Sequence, residues 1–129
     1  MIGVERVDYI RVPVTDMDAA NHFYGELLGL PRSPNSPAGD WVEYEAGTVT
    51  LAVMTPQTHD YEFAPLPLST IVLRVTDVAA AKAKLEEAGL EVGEMWDSGA
   101  CNGAGVSDPA GNRILLHHRY AAYPDGTTP

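Results

Sequence analysis

His117 stands in a strand-like run whose alternation gives it a working surface. Arg113, Leu115, His117 and Arg119 alternate with Ile114, Leu116, His118 and Tyr120, so a period of two puts the first set on one face and the second on the other. An imidazole takes or gives a proton near neutral pH, which suits His117 to a general base or a substrate anchor. The plainer reading is a polar wall residue with a satisfied hydrogen bond. His118 belongs to the opposite face and is expected to pack behind the sheet, while His22 falls on a helix and His59 in a linker.

Other side chains offer weaker chemistry. Cys101 is the only cysteine. With a neighbouring histidine it could form a nucleophilic pair, but a lone strand cysteine more often serves as a small buried hydrophobe. Asn102 and the Asp97-Ser98 pair are polar groups beside an apolar strand and so are candidate ligand contacts. Trp41, Glu43 and Glu45 share one strand face, an aromatic wall with two anionic groups suited to a flat or cationic ligand. Alternatively that face is simply exposed on an acidic protein. Glu43 is also a candidate acid or base partner for His117, and Arg11 and Arg74 sit in strands where each needs an anionic partner.

The elements that must position these groups come in two copies. Val14-Thr15-Asp16-Met17 and Val75-Thr76-Asp77-Val78 each open a helix, and Gly29-Leu30 and Gly89-Leu90 each close one. Ala46-Gly47 aligns with Ala110-Gly111, which makes Leu51 and Leu115 equivalent. Strands are expected over residues 7–14, 41–46, 48–54, 70–75, 91–96, 101–107 and 113–120, with a proline-rich loop over 31–39 that holds at most one short strand. A duplication this long describes two units that share one core. The expected organisation is a single domain over 1–129: module one about 5–54, a linker about 55–68, module two about 69–120, and a frayed tail over 121–129.

Composition narrows the function classes. The 129 residues, 45% of them hydrophobic, suffice for one core without disulfides or a structural metal. One cysteine excludes intrachain disulfides and multi-thiolate zinc clusters and suits a reducing cytoplasm. The net charge of −10, from 18 acids and 8 bases with the bases dispersed, argues against nucleic acid and anionic membranes as partners. Up to Pro65 there are 10 acids and 3 bases, and beyond it 8 and 5, so the first module carries most of the negative field. No signal peptide or membrane span is expected.

The strand, the Val-x-Asp-hydrophobic cap, the helix carrying Phe23-Tyr24 and Leu28-Gly29-Leu30, and the later Asp108-Pro109-x-Gly111-Asn112 turn together resemble the vicinal oxygen chelate superfamily. This is the glyoxalase, bleomycin-resistance and extradiol-dioxygenase group, and the resemblance spans residues 7–120. It implies an α+β fold of two tandem βαβββ modules forming a cupped eight-stranded mixed sheet, often as a homodimer. Metal-dependent members hold a divalent ion with His, Glu or Gln on the first and last strands of each module. The shared motifs put Tyr9, Leu51, Thr70 and Leu115 at those places, and leucine has no lone pair to donate while threonine and tyrosine are weak ligands. No metal or other cofactor is therefore expected.

The reading that follows is a cytoplasmic protein that binds a small organic molecule without the usual metal, similar in kind to the bleomycin-resistance branch. Its ligand is expected to be a cationic or aromatic natural product or drug, lined by Tyr9, Arg11, Trp41, Glu43, Leu51, Thr70, Arg74, Asn102, Leu115 and His117. The alternatives are a metal-independent lyase, isomerase or cyclase that uses His117 and Glu43, and a metalloenzyme with a displaced site.

Overall fold

Asp16 and Asp77 open the chain's two helices in the way their motifs demand. In a computed structural model, which describes residues 1–37, 39–56 and 62–129, each carboxylate accepts a hydrogen bond from the backbone N–H three residues on, Ala19 and Ala80, both at 3.0 Å. Contacts divide the chain into two units, Met1–Pro65 and Leu66–Pro129. The division falls inside the expected linker, whose polar cluster Gln57, Thr58, His59 and Asp60 lies outside the described residues.

The first unit contains β1 (Tyr9–Pro13), α1 (Met17–Asn21), β2 (Trp41–Glu45) and β3 (Thr50–Met54). Its sheet runs β1-β3-β2, with β1 parallel to β3 and β2 antiparallel to it. Val12, Val42, Leu51 and Val53 are buried with Phe23 and Tyr24, and each such side chain contributes about 1.5–3 kcal/mol by leaving water. Beyond Asn21 the helix widens into a π-helical stretch, His22–Leu27, closed by Leu28 N–H donating to Phe23 O at 2.9 Å. Gly25 lies against Tyr44 there, and a Cβ would come within 3.3 Å of the phenol ring. The buried Tyr44 hydroxyl donates to Asn21 Oδ1 at 2.7 Å. Burial pushes its pKa up, which keeps it a donor.

The second unit contains β4 (Ile71–Arg74), α2 (Val78–Glu87), β5 (Trp96–Asp97), β6 (Cys101–Ser107) and β7 (Arg113–Arg119), in sheet order β4-β7-β6-β5. Strand β4 is parallel to β7, and the other pairs are antiparallel. The helix α2 ends in a Schellman turn: Gly89 takes φ +92°, Gly89 N–H donates to Glu86 O at 2.9 Å and Leu90 N–H to Leu85 O at 3.0 Å. Val78 and Leu85 are buried together with Ile71, Ala104, Val106, Ile114 and Leu116.

Two details add to the expected picture. The described residues form a three-stranded and a four-stranded sheet, seven of the eight strands expected. The missing strand lies along β2, where Ser33 N–H reaches Glu43 O and Glu45 N–H reaches Pro31 O. Prolines 31, 34 and 37 have no N–H to continue that ladder, and one bridge, Arg32–Tyr44, remains. Within the exposed tail, Tyr123 N–H donates to Thr127 O at 2.8 Å, and Thr127 N–H and hydroxyl donate to Asp125.

Candidate functional site

One face of each sheet carries most of the buried apolar side chains, and the other carries nearly all of the candidate groups, together with the buried Ala52 and Met54 in the first unit. In the second unit, register aligns Arg74 with His117, His117 with Gly103 and Gly103 with Trp96. A single row thus crosses all four strands as guanidinium, imidazole, bare backbone and indole. Trp96 is 40% exposed and covers Gly103, where a Cβ would meet the indole at 2.5 Å. The Trp96 and His117 rings lie 6.2 Å apart at 46°. Val72, Leu115 and Gly105 form the adjacent row, and Thr70 shares the parity of Val72 and Arg74.

At one end of this face Arg119 lies beside Cys101. Its Nη1 is 3.9 Å from the sulfur, its Nη2 donates to Ala122 O at 2.9 Å, and its Cζ sits 4.4 Å over the Tyr123 ring. Asp97 and Tyr120 border the sheet, with the phenol donating to Asp97 Oδ1 at 2.7 Å and Gly99 N–H to the same oxygen. The Tyr120 hydrogen bond holds the Asp97 carboxyl below its ordinary range, and the same bond raises the phenol. A groove of about 970 Å³ runs where residues 89–94 pass β6, but its Lys82 amine is already donated to Val92 O and Gly93 O and paired with Glu86.

In the first unit the corresponding face carries Tyr9, Arg11, Trp41, Glu43, Glu45 and Thr50. Tyr9 and Trp41 meet edge to face at 5.6 Å, and Thr50 donates to Glu45 Oε2 at 3.0 Å. The expected grouping of Trp41, Glu43 and Glu45 on one face is therefore present.

Leu51 and Asn102 lie elsewhere. Leu51 pairs with Ile10 and Tyr44 on the covered face and is 1% exposed, so the expectation that it faces the site is corrected. Val14 N–H donates to Met54 O and Val75 N–H to His117 O, which makes Met54, rather than Val53, the counterpart of His117. The cause is turn length: residues 46–49 close the first hairpin and residues 108–112 the second, one more. A slip of one residue turns a strand over. Asn102 pairs with His118, whose Nδ1 lies 2.9 Å from Val75 O, and its Oδ1 is buried without a partner among the described residues.

The corrected places for metal ligands are Tyr9 and Ala52 in one unit and Thr70 and Leu115 in the other. Neither Ala nor Leu can donate a lone pair, so these residues do not make the donor set of a divalent ion. Among the described residues no three His, Cys, Asp or Glu side chains group closely enough to hold a metal, and no helix is long and apolar enough to cross a membrane. Trp96 and Gly103 were not singled out from sequence. The signal, a tryptophan at the end of the expected strand 91–96, acquires meaning only once the β5–β6 register is known.

Comparison with known proteins agrees with this architecture. TnmS3, an antibiotic binding protein from Streptomyces sp. CB03234, is 27% identical, with 92% of this chain and 99% of that one covered at a TM-score of 0.72. A glyoxalase/bleomycin resistance protein from the same Streptomyces is also 27% identical, covering 88% and 100% at 0.67. A lactoylglutathione lyase from Agrobacterium tumefaciens, at 21% identity, 88% and 93% coverage and a TM-score of 0.67, shares the fold. No curated protein sequence gives a significant match. A family model matches residues 6–116, and the chain belongs to the Glyoxalase/Bleomycin resistance protein/Dioxygenase superfamily.

Proposed function

We propose that this chain is a small-molecule-binding protein that holds an aromatic natural product or drug in the family's cup, without the divalent ion of its metal-dependent relatives. The row of Arg74, His117, Gly103 and Trp96 carries the reading, because Gly103 lets a half-exposed indole lie close over the strand beside hydrogen-bonding groups. The likeness to an antibiotic binding protein supports it, and Leu and Ala at two of the four ligand places support independence from metal. The working form is proposed to be a cytoplasmic homodimer, a state that light scattering after gel filtration measures directly.

The test is calorimetric titration with a panel of planar aromatic antibiotics, bleomycin included, with and without EDTA, followed by mass spectrometry of the recovered compound. Saturable binding that survives the chelator, with the compound recovered unchanged, is the expected result. Conversion of the compound, or binding abolished by EDTA, overturns it.

A further inference from the structure

The charge on the second unit's open face runs against the charge of the whole molecule. The chain carries −10, yet three of the five Lys and Arg residues after Pro65 (Arg74, Arg113 and Arg119) occupy open-face strand positions with His117. None of the eight Asp and Glu residues of that half takes a strand position on this face. The open-face strand residues are otherwise Val72, Leu115, Trp96, Cys101, Ser107 and the two glycines.

These cations also lack anions. The Arg74 and Arg113 side chains have no hydrogen-bond or ion-pair partner among the described residues. Arg119 is held by a carbonyl, a thiol and an aromatic ring, and its buried Nε has no partner. Guanidinium groups on one sheet face repel one another; Glu86, Glu91 and Glu94 line the groove beside Arg113, but no carboxylate takes a strand position beside Arg74 and His117. An incoming anion removes that repulsion and meets a planar fork of N–H donors that fits a carboxylate.

We infer that this face recognises the anionic group of its ligand, an aryl carboxylate, with the carboxylate against Arg74 and His117 and the ring over Gly105 beside the Trp96 indole. The inference rests on the small-molecule-binding reading and adds the ligand's charge class. It is compatible with a cationic group elsewhere on the same ligand. Gly105 fixes the shape: a Cβ there would meet nothing within 4 Å, so the floor beside Leu115 is open, while the Trp96 indole fills the space over Gly103. Polyanions are excluded, because the net charge of −10 repels anything that reaches past this face.

The experiment is calorimetric titration of the unmodified chain with 2-naphthoate, 2-naphthamide and 2-naphthylmethylammonium, probes alike in ring and unlike in charge. Naphthoate is expected to bind about tenfold more tightly than the amide, the size of one charge-assisted contact, and to weaken as salt rises. Arg74 is exposed on an edge strand, so R74Q should fold; it should bind naphthoate and amide alike, while R74K keeps a preference for naphthoate. Naphthoate binding no tighter than the amide, or an R74Q variant that keeps the full preference, overturns the anion inference and leaves the wider reading intact. Failure of naphthoate to bind in the millimolar range also overturns it, and the antibiotic panel then decides the wider reading separately.

Discussion

Trp96 occupies the space that any side chain at residue 103 would need: a Cβ on Gly103 would lie 2.5 Å from Trp96 Cζ2 and 2.8 Å from Leu116 O. The indole can swing aside but the strand carbonyl cannot, so G103A is expected to lose about 1–3 kcal/mol of stability, the usual cost of forcing atoms into a filled space. Its tryptophan emission should shift as Trp96 moves into water. W96A, at a half-exposed position, should cost under about 1 kcal/mol and instead weaken aromatic ligands. Urea unfolding of the two variants checks the contrast, and equal losses would mean that Trp96 is a structural cover rather than part of a ligand surface.

The contrast between Gly103 and Asp16 shows what the sequence could reveal. Helix caps are local, so Asp16, Asp77 and Gly89 could be read directly, and strand β6 was placed at residues 101–107 as observed. Faces depend on register, which the chain sets through its turns. The extra residue between Ser107 and Arg113 hid the true match of Met54 with His117 and put Leu51 on the wrong side. The π-helical stretch was illegible for a similar reason, since its register answers to Tyr44, distant in sequence, against Gly25. The open face of the second unit was half legible: alternation placed Arg113, His117 and Arg119 together, but only strand pairing adds Arg74 and Trp96 to that row.

Asn112 joins the second hairpin to the start of its unit. Its Nδ2 donates to Asp108 Oδ2 and its Oδ1 accepts from Leu66 N–H, both at 2.8 Å, the first bond buried and the second part-buried. N112A removes a donor from a buried carboxylate and strands a backbone N–H, so it should lose about 2–4 kcal/mol. Denaturant unfolding gives the number, and a loss under about 0.5 kcal/mol would show that water replaces both bonds.

The pair of Asp97 and Tyr120 sets a pH window. The folded carboxyl titrates below its ordinary 3.8, so its contribution to stability is full above that value and disappears as pH falls through the lowered pKa. The phenol titrates above 10.0, so its contribution is full below that value and disappears as pH rises through the raised pKa. Between the two, the bond is insensitive to pH. Y120F should move the Asp97 midpoint part of the way back towards 3.8, because Gly99 N–H still donates at 2.7 Å. Carboxyl-carbon NMR reads that midpoint directly, and an unmoved value would assign the whole effect to Gly99.

His117 separates a binder from an enzyme. Its backbone carbonyl accepts from Val75 N–H whatever side chain it carries, so H117A should keep the parallel β4–β7 pairing and fold normally. In a binding protein the imidazole is one contact beside Arg74 and Trp96. H117A should then weaken the ligand by no more than about tenfold and leave the compound chemically unchanged, as the unmodified chain does. In an enzyme that moves protons with His117, the variant would keep its affinity and lose turnover by a factor of about 10² or more. Binding and product formation measured on the same samples distinguish the outcomes. Product formed by the unmodified chain and abolished in H117A would replace the binding reading with proton-transfer catalysis.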